Sequence, residues 1–187
     1  MINEVMSNVK VYGLHESIKA SKYPMAVDVE RCSYELTPTV MKLANCDMGT
    51  GHDQFLTGII AQFDLTFSIK AWVEAERYHF LDFVSSQSTM HKIVSLDPEV
   101  QCNEYVHTGT INLVKGLIEE YNKAPSPTNY LRLLYNVPVG FRLTARMTTN
   151  YRQLKTIYNQ RKNHRLPEWR DFCRQIEELP HSEFITG

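Results

Sequence analysis

The residues from Ser68 to His91 constrain the fold more than any other stretch of this chain. Apolar side chains recur there every three or four residues, which predicts a helix with one apolar face. These side chains are Ile69, Trp72, Val73, Phe80 and Phe83. Glu76 falls on the same face, and His79 follows about one turn later. A carboxylate on such a face must find a partner or remain protonated.

The end of the same stretch has a different character. Residues 84–89 are short and rich in hydroxyl groups, which predicts a helix end or a loop. A buried acid, an imidazole and a hydroxyl-rich turn together suggest the wall of a binding site. The alternative is a core helix with one Glu–His pair followed by a turn, because this periodicity is more typical of core packing than of chemistry.

Positive charge is concentrated in one segment. Residues 142–170 carry eight cations and one acid, so the segment has a charge of +7 and the remainder has −8. The cations are Arg142, Arg146, Arg152, Lys155, Arg161, Lys162, Arg165 and Arg170. Arginine suits phosphate groups because its planar fork donates two parallel hydrogen bonds. The segment therefore predicts anion binding, and the alternative is a solvated basic face paired with the acidic remainder.

The chain mixes strand-like and helix-like patterns. Alternation predicts strands over residues 7–12, 62–68 and 141–147, while helices are predicted over 54–61, 110–122, 130–135, 150–159 and 169–179. Thr37-Pro38 and Asp97-Pro98 are typical helix starts, with a capping side chain before a proline at the first position. The length of 187 residues fits a single domain spanning residues 1–187.

Several functional classes are disfavoured. No apolar run approaches the roughly 20 residues that span a bilayer, and the first residues lack the pattern of a signal peptide, so the cytoplasm is the expected location. Nucleic-acid binding is not expected at a net charge of −1. The four cysteines form no C-x-x-C pair, and Glu76-x-x-His79 lacks the second copy that a di-iron site needs, so no metal is predicted.

Residues 45–180 resemble the flavin-dependent thymidylate synthases. The family's signature is R-H-R-x-x-S-x-N-x-x-S-x-R-Y, where Tyr78-His79-Phe80 falls at R-H-R and Ser88-Thr89-Met90-His91 at S-x-R-Y. Further matches follow in the family's order. They are Gly51-His52 at G-H, residues 63–67 at the F-x-F strand, Pro138 at L-P, Asn150 and Arg152 at T-x-N-x-R, Arg161 at the later L-R, and Glu168-Trp169 at Q-W-E-I-R.

This resemblance implies an α+β fold in which a small mixed or antiparallel sheet is flanked by helices. It implies FAD as cofactor, methylation of deoxyuridine monophosphate (dUMP) to thymidylate with a folate donor and NADPH, and a homotetramer with sites between subunits. By the same resemblance, the flavin contacts are His52, His79, Asn150 and Arg152. The substrate contacts are Gln87, Ser88 and Arg161, and the catalytic residues are His79 and Ser88, with Ser88 positioning the nucleotide rather than attacking it.

The chain departs from the family mainly at arginines. Tyr78 and Phe80 replace both arginines of R-H-R, and Met90 and Leu134 stand at two further arginine positions. Arg77, Arg132, Arg142, Arg146 and Arg165 are candidates to replace the lost cations. The departures keep a second hypothesis open, in which a non-catalytic relative binds a nucleotide or a protein partner through residues 142–170.

Overall fold

The computed structural model describes residues 4–47 and 49–187, in which four strands form one antiparallel sheet. The strands are β1 (Met6–Tyr12), β2 (Ile60–Ser68), β3 (Leu81–Ser86) and β4 (Arg142–Asn150). Their order across the sheet is β1-β2-β4-β3, so β1 and β3 are the edge strands. The prediction of an α+β fold with a small antiparallel sheet flanked by helices is confirmed.

Short and medium helices connect the strands. They are α1 (Leu14–Ala20), α2 (Pro38–Ala44), α3 (Ile69–Ala75), α4 (Thr89–Lys92), α5 (Pro98–Gln101), α6 (Thr108–Lys123), α7 (Pro127–Tyr135), α8 (Tyr151–Arg161), α9 (Pro167–Ile176) and α10 (Glu183–Thr186). The predicted start at Thr37 is confirmed, because its hydroxyl accepts a hydrogen bond from the backbone N–H of Val40. Asp97 likewise caps α5, with Pro98 as the first helical residue.

One face of the sheet carries the main core. Alternate residues of β2, including Phe63 and Phe67, are fully buried, as the alternating sequence predicts. Phe67 contacts Trp169 of α9 with ring centroids 4.8 Å apart. The opposite face is polar, where Asp64 forms an ion pair with Arg146 at 3.3 Å. The sheet is therefore an apolar support on one side and a half-exposed polar surface on the other.

A second, smaller core lies among the helices between β3 and β4. It contains Ile93, Val114, Leu117, Leu133 and Phe141. This core fixes α6 and α7 against the start of β4. The single domain expected from the sequence stays a prediction.

The helix predicted from Ser68 to beyond Phe80 is shorter than expected. Helix α3 ends at Ala75, and residues 81–86 form the edge strand β3 rather than a helix end or loop. Val73 and Phe80 are therefore 56% and 62% exposed. The core-facing residues of α3 are Ala71, Trp72 and Ala75, so the buried face is rotated relative to the prediction.

Two other boundaries also differ from the prediction. The segment predicted as a helix from residue 54 to 61 is a 3-10 helix over Gln54–Gly58 followed by β2. Helix α10 (Glu183–Thr186) lies beyond residue 179, where the last predicted helix ends. Within residues 4–47 and 49–187, no helix has both the length and the apolar character needed to cross a bilayer.

Candidate functional site

A cleft of about 420 Å³ lies where β4 runs directly into α8. Strands β2 and β3 are antiparallel to β4, so their first residues lie beside its last ones: Ile60 pairs with Asn150 and Leu81 pairs with Thr149. The segment before β2, Phe80 before β3, and the first turns of α8 therefore line the cleft. Its volume is within the range of small-molecule sites.

The charged groups in this cleft are arranged around one buried carboxylate. Asp53 is only 4% exposed. Its carboxylate accepts hydrogen bonds from Nε of Arg152 at 3.0 Å and from Nζ of Lys155 at 3.4 Å. Lys155 is also buried and donates to the carbonyl oxygen of Ala44 at 2.7 Å. Two cations around one carboxylate leave a net positive charge, which favours an anionic ligand.

The same cleft contains an amide and an aromatic ring. Asn150 caps α8, because its side-chain oxygen accepts a hydrogen bond from the backbone N–H of Gln153 at 2.9 Å. Phe80 lines the opening and exposes a large aromatic surface. Aromatic faces stack well on flat ring systems. The cleft can therefore accept a ligand that combines a planar ring with a negative charge.

A larger cavity of about 820 Å³ adjoins this cleft, and Gln54 lines both. Its walls are mostly apolar and include Val40, Leu43 and Phe55, together with the imidazole of His52. Among the predicted flavin contacts, Asn150 and Arg152 thus line one cleft and His52 lines its neighbour. The fourth, His79, is exposed beside Phe80 in the segment between α3 and β3.

The predicted substrate contacts Gln87 and Ser88 lie toward the other end of the sheet. The side-chain oxygen of Gln87 accepts a hydrogen bond from the backbone N–H of Thr144 at 2.9 Å. Thr144 precedes Asn150 by six strand residues, which corresponds to roughly 20 Å along β4. Within one chain, the structure does not bring Gln87 and Ser88 to the cleft that contains Asn150 and Arg152.

Arg161, the third predicted substrate contact, is buried at the last turn of α8. Its Nη1 donates to Oε2 of Glu74 at 2.9 Å, and its Nε donates to the hydroxyl of Tyr78 at 2.7 Å. The guanidinium also stacks over the ring of Trp169, 4.9 Å from the ring centroid. Two of its three nitrogens are therefore engaged within the chain, and its contact with a substrate phosphate remains a prediction.

The acidic partner of this network is Glu74, whereas the sequence pattern pointed to Glu76. The Glu74 side chain is 15% exposed and pairs with both Arg161 and His164. Glu76 follows α3 and is exposed. Counting Ala71 and Ala75 as core residues would have placed Glu74 near the buried face. No local sequence pattern indicated the contact between Asp53 and Lys155, because Asp53 precedes β2 and Lys155 follows β4 in the chain.

Most cations of the segment 142–170 already have partners within the chain. Arg142 and Arg170 donate to backbone carbonyls, Arg146 pairs with Asp64, and Arg152, Lys155 and Arg161 are bound as described above. Arg132, a candidate to replace a lost arginine, pairs with Glu120 at 2.6 Å. Lys162 and Arg165 are exposed. Most side chains of the segment are therefore engaged in contacts within the fold and do not form one continuous basic face.

Comparison with known proteins decides the fold. No protein-family model and no curated protein sequence matches this chain. A crystal structure of the flavin-dependent thymidylate synthase ThyX from Helicobacter pylori, complexed with FAD and dUMP, is similar with a TM-score of 0.71. The two sequences are 14% identical, and the match covers 96% of this chain and 97% of that one. The chain has the ThyX fold.

A second crystal structure of Helicobacter pylori ThyX, with FAD and dUMP, gives a TM-score of 0.72 at 15% identity. It covers 97% of this chain and 96% of that chain. At these identities the likeness establishes the fold alone.

His164 gives the ThyX-like core a testable pH dependence. Burial lowers the pKa of His164, Glu74 raises it, and the guanidinium groups of Arg161, Arg170 and Arg165 lower it again, with a net lowering. The unfolded chain therefore takes up a proton near pH 6.5 that the folded chain resists. Stability from this group is present above that pH and is lost as the pH falls.

We expect the free energy of unfolding to decrease between pH 7 and pH 5 in the wild-type protein, and to decrease less steeply in His164→Gln. Urea unfolding at a series of pH values measures the slope. His15→Gln, a change at an exposed imidazole, serves as the control and should retain the wild-type slope. A His164→Gln variant with that same slope would contradict the assignment.

Proposed function

We propose that this protein is a divergent ThyX-like enzyme that binds FAD in the cleft at the end of β4. The proposed reaction is methylation of dUMP to thymidylate, with a folate as methylene donor and NADPH as reductant. One observation carries the proposal. Asn150 and Arg152, which match the T-x-N-x-R motif of the family, line a single cleft within a ThyX fold.

The residues of the cleft fit a flavin nucleotide. FAD combines a pyrophosphate with flat apolar rings. The net positive group of Arg152, Lys155 and Asp53 suits the phosphates, and the first turn of α8 adds the positive end of a helix dipole. The exposed ring of Phe80 and the adjoining apolar cavity with His52 suit the rings.

Each of these side chains has a definite part in the proposed complex. Arg152 would donate to a phosphate oxygen while Asp53 holds its guanidinium in place. Asn150 would offer its remaining amide N–H groups to the ligand, since its oxygen is committed to the helix cap. Bound flavin supplies the redox chemistry, and the protein supplies binding, orientation and electrostatics.

The dUMP contacts require a further element of the proposal. Gln87 and Ser88 lie about six strand residues from the flavin cleft, so a single chain does not complete the site. We therefore propose the homotetramer implied by the family resemblance. In it, Gln87 and Ser88 of one subunit and Arg152 of another would form one site. We propose this assembly, and a cytoplasmic location, for the protein.

A non-catalytic relative is the second candidate function. It is favoured by the replacement of two signature arginines, since Tyr78 is buried in the protein and Phe80 presents a ring without charge. Each lost charge-assisted hydrogen bond would weaken phosphate binding by about 1.5–3 kcal/mol. In this form the protein would bind a nucleotide or a partner without methylating dUMP.

Purified protein titrated with FAD distinguishes these functions. We expect quenching of flavin fluorescence and a shifted absorbance spectrum on binding. Incubation with dUMP, methylenetetrahydrofolate, NADPH and FAD should then yield thymidylate, detected by chromatography. FAD binding without thymidylate would favour the non-catalytic relative, and no binding of FAD at any accessible concentration would reject the flavin site.

We expect Arg152→Gln to weaken FAD binding by about 10–100-fold, because one charge-assisted hydrogen bond to a phosphate is worth about 1.5–3 kcal/mol. Glutamine retains hydrogen-bonding capacity toward Asp53 while removing the charge. Lys162→Gln removes an exposed cation of the same segment and should bind FAD like the wild type. Equal affinities for Arg152→Gln and Lys162→Gln would remove Arg152 from the site.

A further inference from the structure

The segment from Glu76 to Phe80 connects α3 to β3 and carries Phe80 to the cleft. Four of its five residues are exposed, and only Tyr78 is buried. The hydroxyl of Tyr78 donates to Oε1 of Gln160 at 2.9 Å and accepts from Nε of Arg161 at 2.7 Å. Tyr78 is therefore the side chain that attaches this segment to α8.

Arg161 gives the hydroxyl of Tyr78 a buried, rigid base, whereas Gln160 is exposed. Arg161 is held by Glu74, and its guanidinium carbon lies 4.9 Å and 5.5 Å from the ring centroids of Trp169 and Tyr78. The ring of Tyr78 also contacts the ring of Trp169 edge to face, with centroids 5.9 Å apart. Trp169 is completely buried. A hydroxyl bound to this base cannot shift without disturbing the core.

The geometry of α8 links Tyr78 to the cleft. Gln153, Thr156 and Gln160 lie on one helical face, because they are separated by three and four residues. Gln153 and Thr156 line the cleft together with Phe80, and Gln160 binds Tyr78. The segment thus runs along this face of α8, and Phe80 follows Tyr78 by only two residues, at most about 7 Å of chain.

We infer that Tyr78 is a positioning residue that, through Arg161 and Gln160, holds Phe80 in the flavin cleft. This inference rests on the proposed function, because it assigns Phe80 the part of a stacking surface for the flavin. The inference also gives Arg161 a structural role in its own chain, because Arg161 orders the wall of the cleft by binding the hydroxyl of Tyr78. Tyr78 itself stands where the family motif has an arginine.

Tyr78→Phe tests this inference, because it retains the ring and removes only the hydroxyl. We expect hydrogen exchange to accelerate several-fold in the peptide covering residues 76–83, and FAD binding to weaken by about 3–10-fold. Tyr158→Phe is the matched control. Its hydroxyl is on the same helix but donates to Glu177, at 2.7 Å, rather than to the 76–80 segment, so neither readout should change.

A double-mutant cycle with Phe80→Ala separates positioning from general destabilisation. If Tyr78 acts through Phe80, the FAD affinity of Phe80→Ala should not fall further when Tyr78→Phe is added. Full additivity of the two affinity losses would overturn the inference. If the wild-type protein binds no FAD, the proposed function fails. The hydrogen-exchange rates of the unliganded protein then test the positioning role of Tyr78 separately. Unchanged rates in Tyr78→Phe would overturn the inference.

Discussion

Replacing Glu74 by glutamine is expected to lower the free energy of unfolding by about 3 kcal/mol, at the lower end of the cost of breaking a buried ion pair. Glu74 is the carboxylate that balances Arg161, and their side chains are 15% and 10% exposed. Without it, the buried guanidinium remains charged because arginine does not deprotonate in proteins. Glutamine preserves shape and one acceptor, so the loss reports mainly the missing charge.

The matched control for this change is Glu76→Gln, two residues away at the exposed end of the same helix. We expect its free energy of unfolding to remain within about 0.5 kcal/mol of the wild type. Urea unfolding followed by tryptophan fluorescence compares the two variants. For a chain of this length, about 3 kcal/mol also corresponds to a decrease of about 6–12 °C in Tm. Equal stabilities of the two variants would show that Arg161 does not depend on Glu74.

The contrast between these two glutamates shows what the sequence could predict and what it could not. Periodicity located a helix after Ser68 with Trp72 in the core, and this was confirmed. The predicted face is rotated because Val73, Phe80 and Phe83 dominate the hydrophobic pattern, whereas Ala71 and Ala75 contribute little to it. Small residues bury little area individually, yet they allow a helix to approach the sheet closely. Glu74 was missed for that reason.

The wrong helix end has a different physical origin. Residues 81–86 form a strand because β4 offers them hydrogen-bonding partners, such as the pairing of Leu81 with Thr149. Thr149 is distant from Leu81 in the sequence. Phe80 and Phe83 are spaced as on a helix, but both are exposed: Phe83 lies in the edge strand β3, and Phe80 directly precedes that strand. A short apolar run cannot be assigned to helix or strand by periodicity alone.

The residues that line the candidate cleft differ in how far the local sequence indicates that they lie together. Asn150 and Arg152 adjoin a helix start that could be recognised from the sequence, and the structure brings both to one cleft. The buried pair of Asp53 and Lys155 depends on the antiparallel pairing of β2 with β4, which brings the residues before one strand to those after the other. Local sequence does not encode that juxtaposition.

Replacing Asp53 by asparagine should lower the stability of the fold without weakening ligand binding. Asp53 is the carboxylate shared by Arg152 and Lys155, and both Asp53 and Lys155 are buried. Among the described residues, its removal leaves the ammonium of Lys155 with carbonyl oxygens as partners, at 2.7 Å from Ala44 and 3.4 Å from Cys46. We expect the free energy of unfolding to fall by about 3 kcal/mol, as for other broken buried pairs.

The same substitution makes the cleft more positive, from a net charge of +1 to +2 over Asp53, Arg152 and Lys155. The affinity of the folded protein for FAD should therefore be retained or increased, in contrast to the loss expected for Arg152→Gln. Urea unfolding and FAD titration at a temperature where the variant is folded measure the two effects separately. Asp47→Asn, at an exposed carboxylate of the preceding loop, should change neither quantity. A variant Asp53→Asn that is as stable as the wild type, or that is folded and binds FAD more weakly, would contradict a cleft whose charge is set by this carboxylate.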